Sequence, residues 1–108
     1  MLGHKEPIHS ILEGRSELDE AIGAFVIALA ERVDRLQDAE SENDVALLET
    51  LAQDLAGEAE PLGYPQLAAV ATNVRLACQA GKSDDAQAAV VELTEIARRI
   101  RLGHRGAA

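Results

Sequence analysis

Ile22, Phe25, Leu29, Val33 and Leu36 recur at spacings of three and four within the stretch RSELDEAIGAFVIALAERVDRLQ. That period places apolar side chains on one face of a helix and nowhere else. The same spacing returns three more times. Val45, Leu48, Leu51, Ala52, Leu55 and Ala59 share one side of a second segment, from about Asp44 to about Glu60. Leu67, Val70, Ala71, Val74, Ala77 and Cys78 line a third, and Ala86, Ala89, Val90, Leu93, Ile96, Ala97 and Ile100 a fourth. DAESEN at 38–43, PLGYP at 61–65 and Gly81 interrupt the stripes. Ser16 is placed to cap the first helix by accepting from the Asp19 amide, with Glu17 and Asp19 at its positive end. Pro65 suits a first turn, where its missing N–H costs nothing. Ser83 with Asp84 and Asp85 opens the last helix, and Gly103 is expected to end it. EPIHSILEG at 6–14 predicts a short helical lid anchored by Ile8, Ile11 and Leu12. The expectation is all-α: an antiparallel up-down four-helix bundle with a short N-terminal helical lid, one domain over residues 1–108.

Composition narrows the functions. Phe25 and Tyr64 are the only aromatic residues, and Ala, Leu, Val and Ile make up the apolar fraction, a mixture suited to close-packed helices. Cys78 is alone, so an internal disulfide is impossible and a cytoplasmic setting is expected. Nineteen acidic against ten basic side chains give a formal charge of −9, which repels nucleic-acid phosphates and anionic lipid. Neither nucleic acid nor membrane is expected as a partner. The longest uncharged apolar run, AIGAFVIALA, has ten residues, where a span needs about 20. No charged leader with a cleavage site is expected. No Gly-rich phosphate loop, dinucleotide fingerprint or Cys/His metal spacing occurs, and HKEPIH at 4–9 lacks a second ligand pair. No cofactor and no metal are expected.

The second helix carries the candidate site. With each residue turning the helix by about 100°, its core residues fall within about 60° of Leu48. Ala46, Glu49, Gln53, Gly57 and Glu60 fall at roughly 100–180°, on a solvent-facing strip, with Ala56 at its edge. Glycine is the poorest ordinary helix former. Two readings of Gly57 stand on the residues alone: room left for another molecule, or a frayed helix end shared with Gly63.

The stretch Gln53-Asp54-Leu55-Ala56-Gly57, with Gly63 ten residues after Gln53, resembles the His-x-Leu-Lys-Gly core of histidine-phosphotransfer (HPt) domains and their further glycine. LGYPQL at 62–67 is similar to that family's YGFPxL variant, QAGKSDDAQAAVVEL to its turn between the last two helices, and PIHSIL to its PIYSxL opening. The likeness covers nearly the whole chain. It implies a four-helix bundle whose exposed histidine on the second helix takes a phosphoryl group from a receiver domain, with a small residue one turn later to let the receiver approach. Two departures bear on function. Gln53 stands where the histidine would, and an amide nitrogen with a delocalised lone pair is no nucleophile for phosphorus. Ala56 stands where the lysine would. Phosphotransfer through this position is not expected, so no catalytic residue is assigned. His4, His9 and His104 lie off the second helix, in the lid region or the C-terminal tail, and do not replace it.

The resemblance therefore implies a pseudo-phosphotransfer domain of two-component phosphorelay signalling. It would dock a response-regulator receiver domain, or a hybrid histidine kinase, through Ala46, Glu49, Gln53, Ala56, Gly57 and Glu60. Two alternatives stay open. Glu49 with Gln53 resembles the acid-x-x-x-Gln motif of receiver phosphatases, in which the amide orients water onto an aspartyl phosphate. A purely structural helical adaptor is the other.

Overall fold

A computed structural model describes residues 6–107, with side chains described to His104. Four helices follow one another: α1 (Ser16–Ser41), α2 (Val45–Ala59), α3 (Pro65–Ala80) and α4 (Ser83–Ala107). They form an antiparallel four-helix bundle. Each helix packs on its neighbours in sequence, and α1 closes the ring against α4. Leu29 and Leu36 of α1, Leu55 of α2, Leu67 and Val74 of α3, and Leu93 and Ile100 of α4 are fully buried at the centre. The stripes read from the sequence supply nearly all of this core. Val45 is exposed, and Leu51 and Cys78 are only half-buried.

Three helix ends close in one manner. Asn43, Gly63 and Gly81 each adopt positive φ (58°, 87° and 71°). The following amide reaches back to the helix in each case: Asp44 N–H to Ala39 O at 2.9 Å, Tyr64 N–H to Ala59 O at 3.0 Å, Lys82 N–H to Ala77 O at 3.0 Å. This is the Schellman arrangement, which satisfies carbonyls the helix leaves unpaired. Asp44 then caps α2, its side chain accepting from the Leu47 amide at 3.2 Å, and Pro65 occupies the first turn of α3.

Several expectations are corrected. Arg15, not Ser16, is the cap residue of α1, and no side chain caps it; Leu18 N–H bonds the Arg15 carbonyl instead. The lid is not helical. Residues 6–10 have no regular structure and 11–14 form a turn: the Ile8 and Ile11 amides bond the Arg99 and Gly63 carbonyls, while Glu13 and Arg15 N–H close the turn on Ser10 and Leu12. Of its three expected anchors, Ile8 and Leu12 are half-buried, while Ile11 is 74% exposed. Gly103 does not end α4, which runs on through Ala107. A Cβ at Gly103 would instead collide with the Ile8 carbonyl, so the missing side chain lets residues 6–14 cross α4 as a strap. His104 accordingly lies on α4 and not in a tail, while His4 lies outside the described residues.

Helix length explains where the strap lies. At a rise of about 1.5 Å per residue, the 26-residue α1 and 25-residue α4 outreach the 15-residue α2 and 16-residue α3. The strap covers the resulting step. There Phe25 stacks on Tyr64, the last residue of the α2–α3 turn, at 5.8 Å between ring centroids.

Candidate functional site

Leu48, Ala52, Leu55 and Ala59 bury one side of α2, and the strip expected on the other side divides in two. Ala46, Gln53, Gly57 and Glu60 face solvent, whereas Glu49 and Ala56 are half-buried. Ala56 packs against the core margin, and Glu49 lies at the seam with α3. There the Gln79 side chain donates to Glu49 Oε2 at 2.8 Å, and Arg75 Nη1 donates to Gln79 Oε1 at 3.4 Å. Since α2 and α3 are antiparallel, one turn forward from Glu49 faces one turn back from Gln79. Arg75 therefore stands level with Gln53, and the row Arg75–Gln79–Glu49 borders the strip.

Gln53 projects from this face with no side-chain hydrogen bond among the described residues. Gly57 lies one turn further on, within the helix, and a Cβ there would meet nothing within 4 Å. Fraying does not describe it: α2 continues through Ala59, and the turns beyond end at Gly63. The fold gains no packing from a missing side chain at 57.

Nothing on the strip is a strong nucleophile. Burial first, then the Glu49 carboxylate, push the Cys78 thiol above its ordinary value, which disfavours the reactive thiolate. His9 Nδ1 lies 3.3 Å from Glu13 Oε2 on the strap, and His104 sits over Gly23 of α1. Neither reaches α2. Among the described residues, no group of three or more His, Cys, Asp or Glu could hold a metal ion, and no helix is long and apolar enough to cross a membrane.

Sequence reasoning missed Gln79, Ser10 and the true use of Arg99. Arg99 Nε donates to the Glu6 carbonyl at 2.7 Å. Gln79 matters through its register against Glu49, a relation between helices that no local pattern encodes. For Ser10 a signal existed: a small hydroxyl amid apolar neighbours after Pro7 suits a turn. No family model matches the chain, and no curated protein or solved structure matches it either.

Proposed function

We propose that the outer face of α2 docks a receiver domain without carrying phosphate, as a degenerate histidine-phosphotransfer domain of a two-component pathway. The observation that carries this reading is Gly57. It costs helix stability, fills no tight place in its own fold, and lies one turn from the residue at the phosphoacceptor position. Close approach by a partner is the use that remains. The resemblance supplies the partner, a receiver whose first helix would lay its apolar side along Ala46, Gln53, Ala56 and Gly57. Gln53 cannot accept a phosphoryl group, so the domain would compete with active phosphotransfer domains and dampen the pathway. Glu49 and Glu60 add negative charge beside the strip, which restricts docking to receivers that tolerate it.

Titration of the protein against a panel of receiver domains tests this. Saturable binding is expected to at least one receiver, and Gly57→Arg should abolish it while the helical spectrum is retained and the unfolding midpoint does not fall. Binding to no receiver would leave a helical adaptor. The phosphatase alternative uses the same face, but Glu49 would have to exchange Gln79 for a receiver lysine. Following the lifetime of a receiver's aspartyl phosphate, with and without Gln53→Ala, separates it from passive docking.

A further inference from the structure

We infer that residues 6–12 are a detachable latch that orders the α2–α3 turn and, through it, the C-terminal end of the α2 face. Its bearing on docking rests on the function proposed above. The latch is fastened at two places. On α4, Ile8 N–H bonds the Arg99 carbonyl at 3.0 Å and Arg99 Nε bonds the Glu6 carbonyl at 2.7 Å. On the turn, the Ser10 hydroxyl donates to the Leu62 carbonyl at 2.6 Å and Ile11 N–H to the Gly63 carbonyl at 2.9 Å. Ser10 itself is buried, 6% exposed, and its hydroxyl also accepts from the Leu12 amide at 3.0 Å.

The turn depends on both sides. Gly63 N–H reaches back to Glu60, which caps α2, and Tyr64 N–H to Ala59 at its end, while the Leu62 and Gly63 carbonyls are met by the strap. Gly63 thus joins the helix end to the latch within one residue. Two glycines make the seats: a Cβ at Gly63 would strike the Ser10 hydroxyl, and one at Gly103 the Ile8 carbonyl. The strap has no regular structure, so four hydrogen bonds and two half-buried side chains oppose the entropy of ordering it. These contributions offset much of that entropy, so the attached state is favoured, but by much less than the bundle core it covers. Gly14, at φ 98° in open space, is the hinge about which the strap can leave α1 undisturbed.

Gly103→Ala separates cause from consequence, because Gly103 lies on α4 and the nearest atoms to a Cβ there belong to the strap. Amide hydrogen exchange is measured on the full chain without any partner. The Ile8 and Ile11 amides should exchange roughly tenfold faster in the variant, the loss of about one such hydrogen bond. The Gly63 and Tyr64 amides should follow, with Leu29 and Leu93 unchanged. The inference is overturned if Gly63 and Tyr64 keep their rates while Ile8 is freed, or if Ile8 and Ile11 are already unprotected in the wild type. Should Leu29 and Leu93 also accelerate, Ser10→Ala, which removes only the hydroxyl at the turn, decides by the same criterion. A failed receiver titration leaves this result standing, and a failed exchange experiment leaves the docking face.

Discussion

A methyl group at position 57 would project into open solvent, so the stability and the function of that residue can be separated. Alanine is favoured over glycine inside a helix by up to about 1 kcal/mol, with no clash to offset the gain. Gly57→Ala should therefore raise the urea unfolding midpoint with an unchanged m-value. A lower midpoint would show that the glycine serves the fold, and would remove the reason for assigning it to a partner. Gln53 belongs to the same argument. Its side chain has no bond to break, so Gln53→Ala should leave the midpoint within about 0.5 kcal/mol of wild type. Glu49 differs, since its carboxylate holds Gln79 across the α2–α3 seam.

At the level of helices and turns, glycines of one conformation answer to different constraints. Gly81 and Gly63 both have positive φ, but a Cβ at Gly81 meets open space and one at Gly63 meets Ser10 and the Ile11 and Leu12 amides. Alanine in the left-handed region costs roughly 1–2 kcal/mol. Gly81→Ala should lose about that much, and Gly63→Ala distinctly more, in urea unfolding; equal losses would mean the strap does not press on the turn. The contrast also marks what could be read from the chain alone. Helical stripes, Pro65 at N1 and the Gly81 stop depend on residues within a few positions of one another. So does the outward face of Gln53 and Gly57, which follows from helical phase. Gly103 and the strap do not. Ile8, Ile11 and Leu12 have helical spacing, yet their segment is not helical, and Arg99, Leu62 and Gly63 supply several of its partners from far along the chain. Gly103 resembles a helix stop locally, and only the crossing strap explains it.

Over the whole molecule, charge is the dominant unbalanced quantity. A formal charge of −9 is carried by a bundle measuring 40 × 34 × 19 Å. Pairs such as Arg32–Glu58, at 2.6 Å, and Arg98–Glu95, at 2.7 Å, offset part of it locally. Both lie at the surface, where such pairs contribute about 0–1 kcal/mol. Screening acts on the remainder. The Debye length is about 30 Å at 0.01 M salt, comparable to the molecule, so carboxylates on different helices repel one another across it. At 0.15 M it falls to about 8 Å, and only near neighbours still interact. The folded state concentrates this charge more than the extended chain does, so added sodium chloride relieves it preferentially. The thermal midpoint should therefore rise between 0.01 and 0.15 M and level off beyond, by differential scanning calorimetry. A midpoint that falls over this range would mean that the surface ion pairs outweigh the net repulsion. The sequence would then be arranged for pairing, despite its nineteen acidic and ten basic side chains.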